Sequence, residues 1–239
     1  MRHVASKVGL FPVVFAVYRW TVEWSPRKWL ADHRVRQAAN ESGLPIPPAR
    51  LLYSVATTPR ATHFVESGRA AAESLRGVLD RAGRPFEDLR DVLDFGCGCG
   101  RVLRQWPKNG PTLYGCDYNP AGIGWLDVYM PWVDVCTNNP LPPLPYADVS
   151  FDFVYALSVF THLPTGTQEK WMAELSRVLR PHGLLAMSTL GEAYIDRLTP
   201  SEHARFDQGQ CVIRNAELAG SNLCAAYHPF PDVVDRLGR

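Results

Sequence analysis

The chain has 239 residues, with 25 basic and 24 acidic side chains and a formal net charge of +1. Hydrophobic residues make up 46% and charged residues 21%, as in an ordinary globular protein with a sizeable core. No basic block stands out, so the composition does not favour nucleic acid as the partner.

Six cysteines are present, and none forms a C-x-x-C pair. Most lie in or beside apolar runs, which is typical of free thiols in a reducing cytoplasm rather than of a disulfide framework. Cys97 and Cys99 form a C-x-C pair, but no histidine or cysteine follows at ligand spacing. We therefore predict a cytoplasmic protein without a metal site.

Residues 1–50 resemble an extension added to a domain that covers residues 51–239. An apolar run at residues 8–18 is flanked by Lys7 and Arg19, but it lacks a small-x-small cleavage site and is too short to span a bilayer. Two interpretations stay open for this part: an amphipathic or buried helix, and a peripheral membrane contact through residues 8–22. The extension ends in a proline-rich stretch, residues 43–48, which predicts an extended arm.

The remaining chain alternates strand and helix patterns. Apolar residues at helical spacing predict a helix over residues 61–83, with Gly83 as its end. Short apolar runs then predict five strands, at residues 91–95, 112–117, 133–137, 151–159 and 183–190. Helical segments separate most of them, which predicts a three-layer α/β sandwich with a mostly parallel sheet.

The segment between the fourth and fifth strands predicts a helix that begins at a capping box, Thr165-x-x-Gln168, and stops at residues 181–183. After residue 190 the pattern predicts a helix over 199–206, short extended pieces at 212–213 and 223–227, and the start of a final helix. No pair of long strands remains to cover the edge of the sheet. A shortened chain, a partner subunit in a homo-oligomer, or a rearranged N-terminal segment would each explain that.

The most informative segment is a strand, a G-x-G-x-G turn at Gly96, Gly98 and Gly100, and the start of a helix. Glycines let a ligand approach the backbone, and helix amides then face that ligand. The dinucleotide fingerprint needs a glycine at position 101, where this chain has Arg101. The spacing therefore favours an adenosyl sulfonium in an open loop over a pyrophosphate, and Asp117 at the end of the second strand is placed to accept hydrogen bonds from ribose hydroxyls.

Four segments in order carry a family resemblance: residues 94–101, 115–120, 142–156 and 175–183. They resemble the motifs of the class I S-adenosylmethionine-dependent methyltransferases, over about residues 60–195. The resemblance implies a Rossmann-like fold and S-adenosyl-L-methionine as the cofactor. Family members usually end with an antiparallel hairpin at the sheet edge, which this chain lacks in sequence.

The resemblance also implies roles for individual residues. The methionine part and ribose would lie against the loop after the first strand, the ribose hydroxyls and adenine against the ends of the second and third strands, and the sulfonium side against the end of the fourth. The residues concerned are Phe64 and Gly68 in the preceding segment, Asp94, Phe95, Gly96, Cys97, Gly98 and Gly100 in the loop, Asp117 and Tyr118, Asn138 or its neighbour Asn139, and Ser158, Val159 and Phe160.

The reaction implied is in-line methyl transfer, in which alignment of acceptor, methyl and sulfur supplies most of the acceleration. His162, after the fourth strand, is the candidate general base, although a structural role and a mechanism without a base stay open. The form of the motifs resembles bacterial methyltransferases of small molecules or glycans. The alternative is a chain that binds the cofactor without catalysis, as an interaction subunit.

Overall fold

A computed structural model describes residues 26–238, so the predicted membrane contact through residues 8–22 lies outside the described residues. The helices are α1 (Pro26–Glu41), α2 (Ala49–Ala56), α3 (Ala61–Arg81), α4 (Pro120–Tyr129), α5 (Thr165–Val178), α6 (Pro200–Asp207) and α7 (Phe230–Asp232). The strands are β1 (Asp91–Phe95), β2 (Thr112–Asp117), β3 (Val133–Thr137), β4 (Phe151–Ala156), β5 (Leu179–Met187), β6 (Val212–Arg214) and β7 (Ala225–Tyr227). Among these residues no helix is long and apolar enough to cross a membrane.

Five strands form one parallel sheet in the order β3-β2-β1-β4-β5. Successive residues of a strand point to opposite faces, so Val92 of β1 packs in one core with Leu75 and Leu79 of α3. Its neighbour Leu93 packs in the other core with Trp171 of α5. The sheet is thus the middle layer of the predicted three-layer sandwich, with one core on each face, and this confirms the Rossmann-like fold class.

The first three strands lie at the predicted residues, and α3 ends as predicted, with Gly83 in the left-handed region at φ 66°. The fourth strand is shorter than predicted, since it stops at Ala156 rather than at residue 159. Ser158 adopts φ 60°, a left-handed conformation that an extended strand cannot contain.

The predicted start of the fifth strand and the predicted helix stop at residues 181–183 are wrong. β5 begins at Leu179, directly after α5, and carries residues 181–183 inside it as an irregularity in its pairing with β4. Arg180 explains the early start because its guanidinium bonds Asp152 at 2.9 Å and Asp91 at 2.7 Å. These ion pairs fix the first residues of β5 to β4 and β1.

The predicted capping box at the start of α5 is also wrong. Pro164 is the N-cap residue and no side chain caps this helix. Gln168 is fully buried instead, and its amide nitrogen donates to the carbonyls of Phe160 and Leu163 at 3.0 and 2.7 Å. The glutamine therefore holds the turn after β4 rather than the end of its own helix.

The C-terminal part departs from the main sheet. The predicted helix near residues 199–206 is confirmed as α6, with a capping box between Thr199 and Glu202. The short extended pieces pair with each other as antiparallel β6 and β7, outside the five-stranded sheet. Within residues 26–238 the sheet ends at β5, as expected, although a single bridge joins Leu190 beyond β5 to Tyr227 of β7.

Candidate functional site

The loop after β1 is built from glycines in left-handed conformations. Gly96, Gly98 and Gly100 have φ values of 81°, 57° and 82°, where any other L-residue would cost about 1–2 kcal/mol. The amides of Gly96 and Cys97 both donate to the carbonyl of Cys116, at 2.8 and 3.0 Å. The loop is therefore fixed against the end of β2.

Asp117 faces this glycine loop, as the sequence predicts. Its side chain is 8% exposed, and its two oxygens accept from the amides of Gly98 and Asn119, both at 2.8 Å. Burial raises the pKa of Asp117, and the two amide bonds oppose that shift. A carboxylate oxygen has further lone pairs, so Asp117 can accept from ribose hydroxyls as well.

Asp94 lies at the buried end of β1. Burial raises the pKa of Asp94 to about 7, while a hydrogen bond from Tyr155 and the positive charge of Arg101 act to lower it. The Tyr155 hydroxyl accepts in turn from the indole of Trp106, at 3.0 Å. Sequence reasoning missed Tyr155 because a tyrosine within an apolar strand has the pattern of an ordinary core residue.

Asn138 follows β3 and holds an unsatisfied acceptor. Its side-chain nitrogen donates to the carbonyl of Asn139 at 2.7 Å, and its Oδ1 is buried without a hydrogen-bond partner. Such an atom is costly unless a donor reaches it. The exocyclic amino group of an adenine is a donor of the right kind, and the role of Asn138 beside the adenine stays a prediction. Tyr118, predicted to lie beside the adenine, is 53% exposed after β2.

Several predicted cofactor residues serve the packing of the fold. The side chains of Phe64, Phe95, Cys97 and Phe160 are buried in the apolar cores. A Cβ on Gly100 would lie 2.5 Å from Leu126 of α4, and one on Gly68 would lie 2.2 Å from the backbone oxygen of Arg101. We expect these four residues to contact the cofactor through their backbone atoms only. Gly100 lets α4 pack closely against the loop, and Gly68 lets α3 pack closely against the backbone of Arg101.

Two valines pack against the glycine loop, and whether the loop is open to the cofactor stays a prediction. A Cβ on Gly98 would lie 2.2 Å from a methyl of Val55 in α2, and one on Gly96 would lie 2.3 Å from a methyl of Val159. Both methyl groups therefore occupy the space that a side chain at these glycines would fill. We expect cofactor binding to move these two side chains, while the roles of the glycines, Asp117 and Asn138 stay predictions.

His162 lies in the turn after β4, and a hydrogen bond determines its tautomer. Its Nδ1 is 2.6 Å from the carbonyl oxygen of Cys224, and a carbonyl can only accept. Nδ1 therefore carries the hydrogen, which leaves the lone pair of the neutral ring on Nε2. A histidine in this form can act as a base through Nε2.

Residues 218–224, which we call the covering loop, cross the carboxyl edge of the sheet. Gly220 accepts from the Tyr118 hydroxyl at 3.0 Å and donates its amide to the carbonyl of His162 at 2.8 Å. Asn222 donates to the carbonyl of Ser54 in α2 at 3.0 Å. Since Tyr118 follows β2 and His162 follows β4, the covering loop passes over the end of β1, which lies between them. No signal in the sequence pointed to these contacts.

A cavity of about 370 Å³ lies beside the glycine loop, between α3 and the ends of β4 and β5. Its lining combines apolar side chains with the hydroxyls of Ser74, Ser158 and Ser188 and with Arg101. The Ser188 hydroxyl accepts from the amide of Ser158 at 2.7 Å. A cavity of this size and mixed polarity is within the range of small-molecule sites.

Comparison with known proteins finds methyltransferases over part of the chain. Residues 93–187 match the family model described as a methyltransferase domain. The chain is 36% identical over 100 residues to a probable S-adenosylmethionine-dependent methyltransferase of Mycolicibacterium smegmatis, covering 42% of this chain and 38% of that protein. It is 25% identical over 159 residues to a tRNA N(3)-cytidine methyltransferase of Gallus gallus, covering 61% of this chain and 40% of that protein.

The fold has solved counterparts. A methyltransferase structure from Methanosarcina mazei superposes with a TM-score of 0.51 at 21% identity, covering 64% of this chain and 78% of that one. The chain spans less than two thirds of the length of the first curated relatives that it matches. The matches support a methyltransferase domain of the class I S-adenosylmethionine-dependent type over residues 93–187, with S-adenosyl-L-methionine as the cofactor of that type.

Proposed function

We propose that this chain is an active methyltransferase, which transfers a methyl group from S-adenosyl-L-methionine to a small-molecule or glycan acceptor. One observation supports the cofactor site most strongly: the left-handed glycine loop is hydrogen-bonded through Gly98 to the carboxylate of Asp117. Both groups face the carboxyl edge of the sheet, where ligands of open α/β folds bind.

The cofactor supplies a methyl group on a sulfonium, which is a good leaving group as a thioether. The main role of the chain is therefore to align the acceptor, the methyl group and the sulfur. In this proposal Asp117 holds the ribose, Asn138 accepts from the adenine, and ionised Asp94 receives the ammonium of the methionine part. The turn from Ser158 to His162 borders the reacting side. Nε2 of His162 takes the proton that a hydroxyl or ammonium acceptor must lose.

Two observations support a small acceptor. The cavity beside Arg101 and Ser158 has a volume suited to a metabolite or a sugar, and the chain has no excess of basic residues to bind nucleic acid. The relative that acts on tRNA makes RNA the competing acceptor. We propose the small acceptor because phosphate neutralisation needs a basic surface that a net charge of +1 does not suggest.

The test is an acceptor panel with the full chain and S-adenosyl-L-methionine. Free sugars, glycans, hydroxylated metabolites and bulk tRNA are incubated separately, and S-adenosylhomocysteine release is measured. We expect turnover with a small hydroxyl or amine acceptor and none with tRNA. Binding of the cofactor without turnover on any acceptor would support the alternative of a non-catalytic interaction subunit, and turnover on tRNA alone would overturn the acceptor class.

A further inference from the structure

Three side chains that can bind metal meet in the C-terminal part of the chain. Cys211 comes just before β6, His228 just after β7, and Asp232 at the end of α7. The antiparallel pairing of Val212 with Tyr227 sets the first two opposite each other. One ligand atom from each of the three residues lies within 4.8 Å of the others. The spacing of these three residues along the sequence does not indicate a metal site, and the sequence analysis predicted none.

The hydrogen bonds of Gln168 determine the tautomer of His228. The Gln168 nitrogen donates to two backbone carbonyls, and its Oε1 accepts from Arg236 at 2.8 Å, so the orientation of the amide is fixed. Nε2 of His228 lies 3.1 Å from that same Oε1 and must therefore be the donor. The lone pair of the neutral ring is then on Nδ1.

This Nδ1 has no hydrogen-bond partner, although His228 is only 1% exposed. An unsatisfied buried acceptor is costly. An electron-pair acceptor beside the thiol and the carboxylate would satisfy it.

The surrounding charges suit a divalent cation. Asp232 accepts from Nε and Nη2 of Arg236 at 2.9 and 2.8 Å, and Nη1 of the same arginine lies 4.0 Å from Glu169. With Cys211 as a thiolate, the two carboxylates and the thiolate outweigh the guanidiniums of Arg236 and Arg205 by one negative charge. Asp232 keeps lone pairs beyond those that face Arg236, and the arginine orients it as outer-shell partners orient metal ligands.

We propose that Cys211, His228 and Asp232 bind one Zn²⁺-type divalent cation, with solvent as the fourth ligand, and that the ion joins the C-terminal helix to β6 and β7. A thiolate, an imidazole and a carboxylate are the ligands that zinc takes in proteins. The three atoms need to approach by roughly an ångström to reach tetrahedral distances. A coordinating metal ion displaces the proton of a thiol ligand.

Cobalt(II) replaces zinc as a coloured probe in the test. The full chain is freed of metal with a chelator and titrated with Co²⁺, and absorption is recorded. We expect one equivalent to bind, with visible bands of tetrahedral cobalt and a near-ultraviolet charge-transfer band from the thiolate. Cys211→Ser should lose the charge-transfer band, whereas Cys136→Ser, which removes another half-buried thiol, should keep it.

The zinc affinity is a second measurement, which tests the proposal even if Cys211→Ser folds poorly. Competition with a chromophoric chelator gives the zinc affinity of the wild type and of Asp232→Asn, which retains an oxygen that can accept from Arg236. We expect at least a tenfold loss of affinity in the variant, and zinc should raise the unfolding temperature of the wild type more than that of the variant. Octahedral cobalt spectra, a charge-transfer band that survives in Cys211→Ser, or equal zinc affinities would overturn the proposal. Each measurement is independent of cofactor binding.

Discussion

The glycine loop with Asp117 and the covering loop face each other across the end of β1, but they are built differently. The amides of the glycine loop donate to the carbonyl of Cys116 and to the side-chain carboxylate of Asp117, residues of the neighbouring strand about twenty positions along the chain. The covering loop is held by single hydrogen bonds to residues as far as 168 positions away. The glycine loop is therefore built into the edge of the sheet, whereas the covering loop is bound to that edge by a few hydrogen bonds.

This difference suggests a division of labour. Local unfolding is easiest where few buried apolar contacts and exposed hydrogen bonds hold a segment, and Leu223 of the covering loop is 65% exposed. We therefore expect changes at the glycine loop to act on cofactor affinity, and changes at the covering loop to act on turnover or on rates of binding and release.

His162→Ala should give the largest effect, because His162 is the proposed base and also anchors the covering loop through Cys224. Loss of a general base lowers turnover by about 10²–10⁴-fold, while affinity for S-adenosylhomocysteine should stay within twofold or so of the wild type. Turnover with an acceptor found in the panel and calorimetry give the two numbers. Unchanged turnover would return His162 to a structural role.

Asp94→Asn should remove a pH dependence of stability. In the folded chain burial keeps Asp94 protonated up to pH about 7, whereas an exposed aspartate ionises near pH 4. Between these values the unfolded chain binds fewer protons, so the free energy of unfolding falls as pH rises, and the loss is complete above pH about 7. The lowered pKa of His228 makes the free energy of unfolding rise with pH, but this effect is the same in the wild type and in Asp94→Asn.

The comparison of the two proteins therefore isolates Asp94. Denaturant unfolding from pH 5 to 8 should show the asparagine variant gaining stability over the wild type, on the order of 3 kcal/mol at the upper end. A constant difference across the range would show that Asp94 does not titrate in this way. An ammonium ligand favours ionised Asp94, so cofactor affinity of the wild type should rise with pH more steeply than that of the variant.

Asp117→Ala should weaken cofactor binding by about tenfold or more, since it removes charge-assisted hydrogen bonds to the ribose. Asp127→Ala, at an exposed position on α4, is the matched control and should bind as the wild type does. Calorimetry with S-adenosylhomocysteine makes the comparison. Equal affinities in all three proteins would remove Asp117 from the site.

Asn222→Ala should give the smallest effect. It removes one exposed hydrogen bond from the covering loop to Ser54, worth about 0.5–1.5 kcal/mol. We expect S-adenosylhomocysteine to dissociate severalfold faster in stopped-flow measurements, with equilibrium affinity changed less. It also serves as the control for His162→Ala, because it loosens the loop without touching the base. If the loop does not control access, dissociation will match that of the wild type.

The sequence predicted the part of the site that local patterns specify. The strands that carry Asp94 and Asp117 are buried apolar runs with clear ends, and three glycines at fixed spacing mark the loop between them. It could not predict the start of β5, which depends on Arg180 bonding Asp91 at 89 positions' separation. For the same reason the buried role of Gln168 and the packing of Val55 against the loop were missed, since each depends on contacts that only the folded chain brings together.

We propose that the glycine loop and Asp117 hold the cofactor, and that Val55 and Val159 move aside when it binds. A crystal structure of the full chain soaked with S-adenosylhomocysteine tests it most directly. We expect ligand density along Gly96 and Gly98, ribose hydroxyls on the Asp117 carboxylate, and both valines turned away from the loop. Density bound elsewhere, with both valines still packed on the glycines, would contradict it.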